Sequence, residues 1–125
     1  VEMAEEAGQL FDAMSEGYIC LLVDDVTLAE VVWVLKSFYK YPVGEITAVL
    51  RDFILQDGIV ATDKPRLLQA LGLFETHNVD FADALLASRA LNSSIPDIFS
   101  FDKHFDRLTG IRRLAPGEWE RLADD

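Results

Sequence analysis

Carboxylates recur in this chain where apolar segments begin or end. Asp80 and Asp83 open the run Asp80-Phe81-Ala82-Asp83-Ala84-Leu85-Leu86-Ala87, Asp102 follows Phe99-Ser100-Phe101, and Glu30 closes Thr27-Leu28-Ala29-Glu30. A carboxylate beside buried surface is costly unless a cap, a cation or a metal compensates it. Hard oxygen ligands without histidine or cysteine suit Mg²⁺ or Mn²⁺. Such an ion lowers the pKa of a water, orients it for in-line attack on a phosphodiester and neutralises developing charge. Glu30, Asp83 and Asp102, from distant parts of the chain, are the candidate metal ligands. Asp80 and Ser100 are candidates to orient them.

Each acid also has a structural reading. Thr27 and Glu30 fit a capping box, with Thr27 as the N-cap. Asp80 suits an N-cap and Asp83 the third helical position, where negative charge is favoured. Asp83 is surplus to capping, and the small side chains of Ala82 and Ala84 beside it leave room for an ion and its waters. Asp102 suits the N-cap of a short turn through Lys103-His104-Phe105. His104 reads as a surface histidine and His77 as a dipole partner at a helix C-terminus, so a zinc site is not expected. No phosphate-cradling glycine loop and no Ser/His/Asp constellation is present.

The elements that must position these acids follow from periodicity. Met3, Ala7, Leu10, Phe11 and Met14 predict an amphipathic helix over residues 2–15, broken by Ser15-Glu16-Gly17. The apolar run 18–23 has strand length and predicts a strand covered on both faces. Helical stripes follow over 28–40 and 45–57, interrupted by Pro42-Val43-Gly44. A short strand is expected at 59–61, then a helix started by Asp63-Lys64-Pro65 with Leu67, Leu68, Leu71 and Phe74 inward. A buried helix is expected over 80–91, strands at 98–101 and 111–114, and a terminal helical turn at 116–122. Strands alternating with helices predict a single α/β domain over 1–125, with a small, mainly parallel sheet of four short strands. Parallel sheets bind ligands at the C-terminal ends of their strands, the edge where Glu30 and Asp102 fall.

Composition narrows the classes. The chain has 125 residues, half of them hydrophobic, which suits one domain with a real core. Its apolar runs are too short for a membrane span, and its acidic opening lacks a signal-peptide pattern. The one cysteine, Cys20, lies in an apolar run and reads as a buried thiol in a reducing compartment, so a cytoplasmic protein is expected. With 22 acids against 11 bases the formal charge is −11, which argues against a sequence-reading DNA binder. A nuclease is compatible with that charge, because a bound cation supplies the local positive charge. Leu21-Leu22-Val23-Asp24-Asp25, with Asp63 and Lys103, offers a phospho-receiver reading, but two helical stripes without a strand between them break the alternation such a domain requires.

The order of motifs resembles the PIN-domain family and, within it, VapC-type toxin ribonucleases. The resemblance is carried by Val26-Thr27-Leu28-Ala29-Glu30-Val31-Val32-Trp33-Val34-Leu35, by Asp80–Ala87, by Phe99-Ser100-Phe101-Asp102-Lys103-His104-Phe105, and by Gly110-Ile111-Arg112-Arg113-Leu114. It implies a three-layer α/β domain with Mg²⁺- or Mn²⁺-dependent endoribonuclease activity on single-stranded RNA. It also implies a homodimer and inhibition by a cognate antitoxin protein. Carried over residue by residue, Glu30, Asp83 and Asp102 match three of the family's metal-site acids. Two departures follow from the same resemblance. The family's opening strand, which ends in a fourth acid and lies at the sheet centre, does not precede the first helix here, and His104 stands where many relatives carry Asp. The expectation is therefore a segment upstream of Val1 that supplies the strand and its acid. Otherwise the chain is a shortened, inactive binding module. For the chain as given, weak or absent activity is expected.

Overall fold

The computed structural model describes residues 2–122. The chain divides after Lys64 into two compact units. Among the described residues no helix is long and apolar enough to cross a membrane. Helices and small parallel sheets make up both units, in keeping with the α/β class expected from the sequence.

The first unit opens with α1 (Glu2–Ser15), followed by β1 (Leu21–Leu22), α2 (Asp25–Trp33), α3 (Val43–Ile54) and β2 (Ile59–Val60). The expected stripe of α1 is largely outside the core: Met14 is buried, whereas Met3, Leu10 and Phe11 are exposed. Gly17 (φ 87°) turns the chain after α1. The apolar run 18–23 yields only a two-residue strand. Backbone pairing is confined to where β2 lies alongside, with Leu21 N–H donating to the Gly58 carbonyl at 2.8 Å and Val23 N–H to Val60 at 2.9 Å. The run is not covered on both faces: Tyr18, outside the ladder, is 78% exposed, and Leu22, within it, 76%. Cys20, expected as a buried thiol, is exposed for the same reason.

The stripe expected over 28–40 is two structures. After Trp33 the α-helix widens into a π-helical turn (Val34–Phe38), marked by the bond from Tyr39 N–H to the Val34 carbonyl at 3.1 Å. Lys40, at φ 61°, ends it. Val23, Leu28, Val32, Ile46, Leu50, Ile54 and Ile59 are buried aliphatic residues of this unit. Parallel strands need a long crossover, and α2 and α3 provide it between β1 and β2.

The second unit holds α4 from its second residue onward (the helix spans Lys64–His77), α5 (Phe81–Leu91), β3 (Asp97–Phe99) and β4 (Arg112–Leu114), with 3₁₀ turns at Lys103–Arg107 and Pro116–Leu122. Pro65 falls in the first turn of α4, where its missing N–H costs nothing. Leu67, Leu71 and Phe74 are buried as expected, with Leu68 half-buried. Phe74 meets Phe81 edge to face at 5.6 Å between ring centres, joining α4 to the start of α5. On α5, Ala84, Ala87 and Ser88 are fully buried, and the Ser88 hydroxyl donates to the Leu85 carbonyl at 2.7 Å. Leu86 is exposed, so this helix has a solvent face where burial nearly all round was expected.

β3 and β4 pair in parallel, with Asp97 opposite Arg112 and Phe99 opposite Leu114. Arg112 forks onto Asp97 through Nε (2.7 Å) and Nη2 (3.1 Å). The four strands thus form two separate two-stranded parallel sheets, β1–β2 and β3–β4, where one sheet was expected. Backbone ladders bind only adjacent strands, and among the described residues no strand pairs with both β1 and β3.

Candidate active site

Asp83 and Asp102 come together in the second unit. Asp83 is the third residue of α5 and half-buried. Asp102 lies in the crossover between β3 and β4, just beyond the C-terminal end of β3. Burial pushes the Asp83 carboxyl above its ordinary range. The negative charges of Asp102 and then Asp80, and a side-chain hydrogen bond with Asp102, push the same way, while His104 opposes them. Two carboxylates this close repel unless a proton or a cation lies between them.

The segment carrying Asp102 is held at several points. Its Oδ1 accepts from the His104 N–H at 2.8 Å, which confirms the N-cap of the 3₁₀ turn, and the His104 Nδ1 lies 3.3 Å from the same oxygen. Ser100 Oγ accepts from the Asp102 N–H at 3.0 Å. Ser100 therefore fixes the backbone of Asp102. Asp80 occupies the N-cap of α5 with extended backbone, but its side chain makes no capping bond. Its carbonyl accepts from the Ala84 N–H at 2.9 Å. The room expected from Ala82 and Ala84 is one-sided: Ala82 is exposed, but Ala84 is fully buried. Neighbours on a helix point in different directions, so Ala84 packs into the core.

Glu30 belongs to the first unit, exposed on α2 beyond its first turn. The capping box proposed for Thr27 and Glu30 is absent. Asp24 is the N-cap, its Oδ1 accepting from the Thr27 N–H at 2.8 Å. That bond and one from the Thr27 side chain hold the Asp24 carboxyl below its ordinary range. Glu30 is thereby released from the capping role. An aspartate directly after an apolar run and three residues before Thr27 was the signal for this cap. Among the described residues, no three His, Cys, Asp or Glu side chains gather into a set able to hold a metal. The acids seen to meet are Asp83 and Asp102, with Asp80 adding charge.

Sequence reasoning also passed over Arg113, which stands on β4 and reaches the Asp102 segment. Its Nε donates to Asp106 Oδ1 at 2.9 Å and its Nη1 to the Ser100 carbonyl at 3.0 Å. An arginine on a strand beside an acid-bearing crossover is the pattern that would have drawn attention to it.

A family model for the PIN domain matches residues 2–111, which contain Glu30, Asp80, Asp83, Ser100 and Asp102 and end two residues before Arg113. The chain belongs to the PIN domain family. The matched region of this PIN domain spans both units. A VapC ribonuclease of Aquifex aeolicus (strain VF5) is 28% identical over 118 residues, covering 94% of this chain and 86% of that protein. No solved structure matches the chain at comparable stringency.

Proposed function

We propose that this PIN domain is a divalent-metal-dependent endoribonuclease of the VapC toxin type, hydrolysing phosphodiesters of single-stranded RNA. The observation that carries the reading is the Asp83–Asp102 pair, in which burial and then the charge of Asp102 lift the Asp83 carboxyl. The similarity to a VapC ribonuclease over nearly the whole chain supports the RNA substrate. The donor set fits a hard cation: the acids at issue are carboxylates, and the nearest imidazole, His104, turns to Asp102.

In this reading Asp83 and Asp102 of the second unit would hold Mg²⁺ or Mn²⁺, and Glu30, on α2 of the first unit, is the third proposed ligand. When bound, the ion supplies Lewis acidity and counter-charge for phosphodiester hydrolysis. Asp83 and Asp102 place two negative oxygens side by side, and Ser100 keeps the Asp102 backbone in place. Asp80 adds negative potential at the start of α5 and orients the pair. A net charge of −11 makes the cation necessary for an RNA anion to approach. The same reading makes residues 1–125 one PIN-like domain, cytoplasmic and homodimeric, with a cognate antitoxin protein as inhibitor.

The test is Mn²⁺-dependent cleavage of single-stranded RNA by the complete gene product, beside Asp83→Asn. Cleavage by the wild type and its loss in Asp83→Asn are expected. Equal cleavage by the two would remove Asp83 from the mechanism.

A further inference from the structure

Asp102 can serve with Asp83 only if its own segment is rigid, and that segment is a crossover rather than part of a strand or an α-helix. Two of its residues, Ser100 and Asp106, are tied to one guanidinium. Arg113 donates through Nη1 to the Ser100 carbonyl and through Nε to the Asp106 carboxylate. Ser100 is further fixed by its own N–H, which donates to the Leu114 carbonyl at 2.9 Å, and its Oγ accepts from the Asp102 N–H. A planar guanidinium suits such a two-point brace, because its donors leave in a fixed fork that an ammonium lacks. The brace has a firm base: Arg113 is followed by fully buried Leu114 and preceded by Arg112, itself forked onto Asp97.

We infer that Arg113 is a positioning residue for the nuclease reaction, bracing the segment from Ser100 to Asp106 so that the Asp102 carboxylate is held against Asp83. The inference rests on the nuclease reading above and assigns Arg113 no contact with RNA or metal. Its charge assists: the Asp106 hydrogen bond chiefly raises the guanidinium's pKa, and the fields of Glu118 and Asp102 add to it. Partners that orient a ligand commonly change metal affinity about 10–100-fold when removed.

The experiment measures Mn²⁺ binding calorimetrically, kcat and KM on single-stranded RNA, and the thermal midpoint, for the complete gene product and its variants. Arg113→Lys keeps the charge and loses the fork. It is expected to bind Mn²⁺ about tenfold more weakly, with kcat reduced, KM for RNA unchanged and the midpoint close to wild type. Asp106→Asn weakens one arm of the fork and is expected to give a smaller loss in the same direction. It stands in if Arg113→Lys fails to fold. Wild-type Mn²⁺ affinity in a folded Arg113→Lys, or in Asp106→Asn where that variant stands in, would overturn the inference. So would losses that follow the thermal midpoint alone. Asp83→Asn separates the two claims. If it abolishes Mn²⁺ binding while the Arg113 and Asp106 variants do not alter it, the brace fails and the nuclease reading stands. If the wild type binds no Mn²⁺, both fall.

Discussion

The carboxyl of Asp83 is raised in pKa first by its burial and then by the negative charge of Asp102 beside it. An acid whose pKa is raised on folding binds its proton more tightly in the folded state. Its stabilising contribution is complete below its ordinary value of 3.8 and is lost as pH rises through the folded value. At neutral pH without metal, Asp83 therefore opposes folding. Asp83→Asn should raise the thermal midpoint of the metal-free protein at pH 7, and this advantage should shrink as the pH is lowered toward 4. Added Mn²⁺ should stabilise the wild type and not the variant. Thermal melts across pH, with and without Mn²⁺, read both effects. A variant less stable than wild type at every pH would contradict the strained pair.

Asp24 has the opposite sign. The Thr27 N–H, with help from the Thr27 side chain, lowers its pKa, so its contribution is present above the ordinary 3.8 and is lost as pH falls through the folded value. Asp24→Ala should lower the midpoint at pH 7 and fray the start of α2, which carries Glu30. Asn is a good N-cap, so Asp24→Asn should keep most of the stability. Thr27→Ala should cost less than Asp24→Ala, because the backbone donor survives. Amide exchange at Thr27 and Leu28 checks the local claim. If Thr27→Ala proved the more damaging change, Asp24 would not be the main cap.

How far the sequence was legible depended on the kind of signal. α4 was legible because Leu67, Leu71 and Phe74 repeat at helical spacing and are in fact buried, and α5 because the run after Asp80 is largely apolar, with Phe81, Ala84, Leu85 and Ala87 buried. The turn through Lys103 was legible from Asp102, whose side chain can satisfy a helix-start N–H only from that position. The extent of β1 was not. An apolar run has strand length whether or not a neighbour exists to pair with it, and only Leu21 and Leu22 form strand here. The start of α2 was misplaced at Thr27, because the Thr27–Glu30 spacing mimics a capping box while Asp24 makes the capping bond. Asp83 and Asp102 were each visible as candidate acids, but their meeting depends on long-range packing. Arg113 was harder still, since its role rests on reaching Ser100 and Asp106 from another strand.

Gly110 tests the turn that leads into β4. Its φ of +88° lies where side-chain-bearing residues are strained, and an added Cβ would come within 2.9 Å of Leu91 Cδ2. Leu91 can shift at its flexible end, so the backbone term dominates. Gly110→Ala should destabilise the protein by about 1–2 kcal/mol, measured by denaturant titration. Because Arg113 follows three residues later, a modest loss of Mn²⁺ affinity should accompany it. A neutral effect on stability would show that this turn can relax into another conformation.

Phe74 and Phe11 both make edge-to-face aromatic pairs, with ring centres 5.6 Å and 6.0 Å from their partners, yet they should differ sharply in consequence. Phe74 is 2% exposed and packs on Phe81, the residue that starts the helix bearing Asp83. Removing its ring leaves a cavity, and Phe74→Ala should cost about 3–5 kcal/mol. Phe11 is 41% exposed, so much of its ring already meets water. Phe11→Ala loses chiefly the pair with Phe53, and about 0.5–1.5 kcal/mol is expected. Phe74→Leu fills part of the cavity and should recover part of the loss, but not the ring contact that anchors Phe81. Urea titration of the three variants measures the ordering. Equal costs for Phe74→Ala and Phe11→Ala would mean that α1 is bound into the core as tightly as α4, contrary to its exposed stripe.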